Sequence, residues 1–141
     1  MLSLTKYLQS GQTTISNLLF VNYRKMGLES EEFLFVLQLH MKQQEGDSFP
    51  DLQLIAINMG LKSDQVYQIL NRLVSGGFIA IETITVDGKK ADQYNLLPLY
   101  ERLEKYLDSQ ASKAKENQQE QEIQSVYRSF EQEFGRPLSA I

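Results

Sequence analysis

Between Phe49 and Leu96 two short amphipathic helical stretches, joined by a glycine turn, run into an Asp-Gly pair flanked by β-branched and aromatic residues; few folds accommodate that order. Phe49-Pro50 leads into a helix from Asp51 to Asn58 with Leu52, Ile55 and Ala56 facing inward. Met59-Gly60-Leu61 makes a tight turn, and Ser63 caps a second helix carrying Val66, Ile69, Leu70 and Leu73. Such a pair is a helix-turn-helix. Gly76-Gly77 closes it, Phe78 to Val86 reads as a strand, Asp87-Gly88 as a hairpin turn, and Ala91 to Leu96 as the returning strand. The expected fold is mainly α with a small β-hairpin, a winged helix-turn-helix with an N-terminal helical extension.

The Asp87-Gly88 turn also sets the register. With Val86 opposite Lys89, Thr83 faces Asp92, Ile81 faces Tyr94 and Ile79 faces Leu96, so Ile79, Ile81, Tyr94 and Leu96 share one apolar face. The other face, Ala80, Glu82, Ile84 and Val86, is more apolar near its tip than a solvated hairpin requires. A short strand at Ser48-Phe49 is expected along the 91–96 strand, completing a three-stranded sheet with Phe49 beside the hairpin.

Glycine and proline divide the remainder. Residues 3–9 predict a helix with Leu4, Tyr7 and Leu8 on one side, ended by Gly11 and followed by an extended Thr13-Thr14-Ile15. Ser16 or Asn17 caps a helix running to Met26, with Leu18, Leu19 and Val21 apolar. Ser30, Glu31 and Glu32 start a helix whose run Phe33-Leu34-Phe35-Val36-Leu37 marks it as the buried central one. Pro98 opens a helix to about Asp108. Residues 109–122 have no apolar side chain larger than alanine and read as a polar linker, a solvated helix or disordered. Ile123, Val126, Tyr127, Phe130 and Phe134 then form an apolar stripe that a lone helix cannot bury. Residues 1–108 are thus expected to be one domain, and 123–141 the first helix of a second.

Composition narrows the function classes. With no cysteine there is no disulfide, cysteine nucleophile or thiolate metal site, which suits a reducing cytoplasm. The start, Met1-Leu2-Ser3-Leu4, lacks the pattern of a signal peptide, and no run approaches the roughly 18 apolar residues of a membrane span. Net charge is −4, and residues 1–108 hold ten Lys and Arg against thirteen Asp and Glu, a poor balance for binding phosphates. His40, the only histidine, lies along the stripe of the central helix, where a structural role accounts for it. No phosphate loop, nucleophile elbow or zinc motif occurs, so neither enzyme activity nor a cofactor is expected.

Several strings carry a family resemblance: Thr14-Ile15-Ser16-Asn17-Leu18-Leu19, the Gly27-Leu28 after Tyr23, Phe49-Pro50, Gly77-Phe78-Ile79 and Tyr94-Asn95-Leu96-Leu97-Pro98-Leu99. Together they resemble the N-terminal domain of DnaD-like replication-initiation proteins. The tail, Val126-Tyr127-Arg128 through Phe134-Gly135-Arg136-Pro137-Leu138-Ser139, is similar to the opening of that family's C-terminal domain and is the most specific part. The resemblance spans about residues 13–107 and 123–140; Ser16 departs from it, standing where related sequences often have proline. It implies a role in the primosome of Gram-positive bacteria, linking a DnaA-like initiator ATPase to helicase-loading proteins. It also implies self-association and initiator contact through the N-terminal domain, with most DNA binding in the C-terminal one.

Three sets of candidate residues follow. Leu4, Tyr7, Leu8, Thr13 and Ile15 precede the core and are expected to pair subunits into a homodimer or tetramer. Phe49, Ile81, Ile84 and Asp92 are expected to bind the partner protein. Lys62, Gln65, Gln68 and Arg72 on the second motif helix, with Lys89 and Lys90 at the hairpin turn, are the possible DNA contacts, opposed by Asp64. Neither a membrane nor a small-molecule substrate is expected as a partner. A winged-helix transcription regulator is the alternative, distinguished by sequence-selective DNA binding.

Overall fold

Side-chain periodicity and caps account for most of the element boundaries. The computed structural model describes residues 3–134, with side chains except at 119, 120, 122 and 124–134. In order, the elements are α1 (Leu4–Gln9), α2 (Asn17–Asn22), α3 (Ser30–Gln44), α4 (Leu52–Met59), α5 (Ser63–Ser75), β1 (Ala80–Val86), β2 (Lys89–Asn95) and α6 (Leu97–Phe134). The fold is mainly helical with a two-stranded antiparallel sheet.

Helix α3 is the centre of the core: Phe33, Phe35, Val36 and Leu39 are buried, as expected from its all-round apolar run, and Leu34 alone of that run is exposed. Phe33 is held from the α2 side by Tyr23, stacked at 4.3 Å, and by Phe20, edge-on at 6.0 Å. At the start of α3 the backbone N–H of Glu29 donates to the Glu32 carboxylate at 2.9 Å, so a buried acidic side chain is satisfied by capping. Across from α3 lie Leu52, Ile55 and Ala56 of α4 and Val66, Ile69, Leu70 and Leu73 of α5, all buried at the predicted spacing. Asp51 caps α4 by accepting the Gln53 N–H at 2.9 Å. Gly60 ends α4 in the left-handed conformation (φ 70°), which lets the Leu61 N–H return to the Ala56 carbonyl at 2.9 Å.

The hairpin pairs in the predicted register, Val86 with Lys89, Thr83 with Asp92 and Ile81 with Tyr94. Asp87 and Gly88 both have positive φ, 51° and 79°, the turn whose twist matches the flanking strands. Ile79, Tyr94 and Leu96 are buried against the helices, whereas Ile81, one step nearer the tip, is 39% exposed. At the other end of the hairpin Leu99 and Leu103 of α6 complete the core, and Arg102 lies 4.2 Å above the Phe78 ring while donating to the Gly76 carbonyl.

Three expectations are corrected. No strand forms at Ser48-Phe49, and the sheet among the described residues has two strands. The Phe49 N–H is taken by Asp47 Oδ1 at 3.0 Å and Pro50 has no N–H, so neither residue can donate to a ladder. The Tyr94 carbonyl of β2 instead accepts from Gln43 Nε2 at 2.8 Å. At 13–15, expected to be extended, no regular secondary structure is assigned, and the Gln44 side chain pairs with the Thr14 backbone. Helix α2 stops at Asn22 rather than Met26: the bonds Met26 N–H to Asn22 and Leu28 N–H to Tyr23 wind the chain through a turn at Gly27. Finally, α6 does not end near Asp108 but continues to Phe134, since the Ala, Gln, Glu and Lys of the polar stretch are good helix formers and neither glycine nor proline interrupts them.

The chain divides into a unit ending at Leu103 and another beginning at Glu104. The side chains of Val126, Tyr127, Phe130 and Phe134, and all of Gly135 to Ile141, lie outside the described residues.

Candidate partner-binding surfaces

The N-terminal arm is exposed from Ser3 to Thr14. Ser3 caps α1 by accepting the Lys6 N–H at 3.2 Å, and the helix buries no residue. Leu4, Tyr7 and Leu8 are 72, 57 and 60% exposed, values far from those of core side chains. Thr13 is exposed as well, and Ile15 is half-buried. Sequence spacing thus places the apolar face of α1 correctly, and nothing within the chain covers it among the described residues.

The hairpin carries the second apolar surface. Ile81 and Ile84 are each 39% exposed and Val86 is 41% exposed, with Ile81 and Ile84 on opposite faces as strand alternation requires. Asp92, exposed, accepts from the Thr83 hydroxyl at 2.9 Å across the pair, fixing its carboxylate on the same face as Ile81. Phe49 is 37% exposed on the loop before α4 and is not joined to the hairpin by strand pairing. Ile81 and Asp92 are therefore brought together on one face, Ile84 lies behind it, and Phe49 belongs to a separate segment.

Lys62, Gln65, Gln68 and Arg72 are all exposed on or just before α5, and Lys89 and Lys90 are exposed at the hairpin tip. Gln65 is partly committed, because its Oε1 accepts the Lys62 N–H at 2.9 Å. Asp64 stands in the first turn of the same helix. The face is mixed in charge, not a phosphate-binding stripe.

Sequence reasoning missed a cavity of about 410 Å³ where the start of α6 meets the hairpin, lined by Gln43, Glu82, Gln93, Tyr94, Leu96 and Tyr100 among others. Burial pushes both tyrosine hydroxyls up from the usual phenol range, and for Tyr94 the charges of Asp92 and Tyr67 add to the effect. His40 Nε2 lies 2.7 Å from the Thr14 carbonyl. Its partner is remote in sequence, and periodicity gives no hint of such a pairing. Among the described residues no three His, Asp or Glu side chains are grouped to hold a metal, and no helix is long and apolar enough to cross a membrane.

Comparison with known proteins bears on the family and the fold. The profile of the DnaD N-terminal domain matches residues 15–127. The replicative helicase loading/DNA remodeling protein DnaD of Bacillus subtilis (strain 168) is 31% identical over 134 residues. That alignment takes in 94% of this chain and 58% of the relative, so the chain spans little more than half of the relative's length. The crystal structure of the N-terminal domain of DnaD protein from Geobacillus kaustophilus HTA426 superposes with a TM-score of 0.67 at 27% identity, covering 79% of this chain and 94% of that one.

Proposed function

The chain belongs to the DnaD N-terminal domain family, and on that premise we propose that it serves the initiation of DNA replication as a protein-binding scaffold and not as a catalyst. In this reading α4, α5 and the hairpin form a winged helix. The arm pairs copies of the chain through Leu4, Tyr7, Leu8, Thr13 and Ile15. The hairpin residues Ile81, Ile84 and Asp92, together with Phe49, receive a DnaA-like initiator ATPase, and helicase-loading proteins follow. The polar stretch 109–122 separates this domain from a second, opened by residues 123–141, to which most DNA binding falls. The setting is the cytoplasm of a Gram-positive bacterium.

The observation that carries the reading is the placement of exposed apolar side chains. Helix α1, which buries no residue, exposes Leu4, Tyr7 and Leu8, and Ile84 and Val86 near the hairpin tip are partly exposed, while α2 and α4 also expose apolar side chains such as Phe20, Val21 and Ile57. Apolar surface left open in this way supports a role in protein contact. The mildly acidic balance of residues 1–108 supports weak DNA binding.

Two experiments test it. Removing residues 1–15 is expected to reduce the mass measured by sedimentation equilibrium to that of a monomer; an unchanged mass at high concentration excludes the arm as the association element. Separately, Phe49→Ala and Asp92→Lys are expected to weaken initiator binding about tenfold or more, as loss of an interface anchor does, with thermal stability and oligomer size nearly constant. Unchanged initiator affinity in both variants would remove these residues from the docking surface.

A further inference from the structure

Among the described residues, the hydrogen bonds that join the arm to α3 fall on Thr14. Residues 3–14 are exposed, and between Ser10–Thr13 and Met41, Gln44 and Glu45 lies a cavity of about 160 Å³ where close packing would otherwise be. Thr14, by contrast, has every polar group engaged by the last turns of α3. Gln44 Oε1 accepts the Thr14 N–H at 3.3 Å, and Gln44 Nε2 donates to the Thr14 carbonyl and to its hydroxyl oxygen, each at 3.0 Å. A side-chain amide pairing with both the N–H and the C=O of one residue does what a neighbouring strand would do.

His40 adds a further bond to the same carbonyl, at 2.7 Å. A carbonyl has no proton to give, so the imidazole donates and its proton sits on Nε2. With that proton in place, the 3.0 Å approach of Gln44 Nε2 to His40 Nε2 is between two donors and adds no bond. The spacing of His40 and Gln44 by four residues puts both on one face of α3, directed at the same point. Next to Thr14, Ile15 is half-buried.

We propose that His40 and Gln44 are positioning residues for self-association: they clip the backbone at Thr14, fix the point and direction from which the arm leaves α3, and so present Leu4, Tyr7 and Leu8 to a second copy of the chain in one orientation. The proposal rests on the reading of the arm as the association element. An arm hinged freely at Ile15 would reach the same partner at a larger entropic cost, because its ordering would then be charged to the association step. The clip reads backbone, so it acts whatever the sequence of α1.

The test uses the full 141-residue chain. Gln44→Leu removes the donor and the acceptor together; Gln44→Glu keeps the acceptor for the Thr14 N–H and turns the carbonyl contacts repulsive. Three quantities are measured: hydrogen exchange at the Thr14 amide, the self-association constant by sedimentation, and the melting temperature. Gln44→Leu is expected to abolish protection at Thr14 and weaken self-association about tenfold, the change that one or two exposed hydrogen bonds produce, with melting nearly unchanged. Gln44→Glu is expected to retain part of the amide protection and to fall between. Deletion of residues 1–15 in parallel separates the two ideas. If the deletion dissociates the chain while both Gln44 variants associate like the parent, the clip is overturned and the arm reading stands. If the deletion leaves the mass unchanged, both fail. If Gln44→Leu lowers melting as much as it lowers association, the bonds are merely structural and the positioning role is overturned.

Discussion

Single residues behave according to what surrounds them, and two aromatic side chains show the range. Phe35 is fully buried on α3, and truncating it to alanine is expected to cost about 3–5 kcal/mol. Phe49 is 37% exposed, so its truncation should cost about 1 kcal/mol or less, which is what allows it to be tested as a contact. Tyr94 carries a different consequence. Its hydroxyl is raised above the usual value of 10.0 first by burial, then by the charges of Asp92 and Tyr67. A group whose folded value is raised contributes stability that is complete below its unfolded value and is lost as pH rises through the folded one. Stability is therefore expected to be flat with respect to this group below about pH 10 and to fall above it. Chemical denaturation across that range should show a shallower alkaline loss for Tyr94→Phe. Identical alkaline profiles in the two proteins would remove Tyr94 as a cause.

At the scale of elements, local chemistry was legible wherever it was sufficient to decide the outcome. The hairpin register could be written from Asp87-Gly88, because a two-residue turn with both φ positive permits one pairing. The faces of α4 and α5 followed from spacing, because Leu52, Ile55, Val66, Ile69 and Leu73 sit at helical intervals. The third strand failed because its formation depended on donors, and Asp47 had already taken the Phe49 N–H. The clip at Thr14 and the bond from Gln43 to the Tyr94 carbonyl were illegible for a related reason. Both join glutamines of α3 to backbone 30 and 51 residues away, and hydrophobic patterning says nothing about such polar pairs. Periodicity left residues 109–122 open between a solvated helix and disorder, because it reads apolar faces and this stretch has none. Backbone propensity alone sustains the helical run through the polar stretch.

The molecule as a whole offers exposed apolar side chains on several elements, α1 and the hairpin among them, and a mixed-charge face on α5, and it belongs to the DnaD N-terminal domain family. The candidate surfaces were partly legible: the exposure of Leu4, Tyr7, Leu8, Ile84 and Val86 follows from periodicity, while the separation of Phe49 from the sheet does not. The central claim is that this chain acts by binding protein and not by reading DNA. It is tested most directly by one equilibrium titration at physiological salt, in which the labelled chain is offered the DnaA-like initiator and, in parallel, duplex DNA. Saturable binding of the initiator is predicted, with duplex affinity no tighter than about 10⁻⁶ M, the range of non-specific contact. Duplex binding near 10⁻⁸ M, the strength of specific readers, with no binding of the initiator, would contradict it.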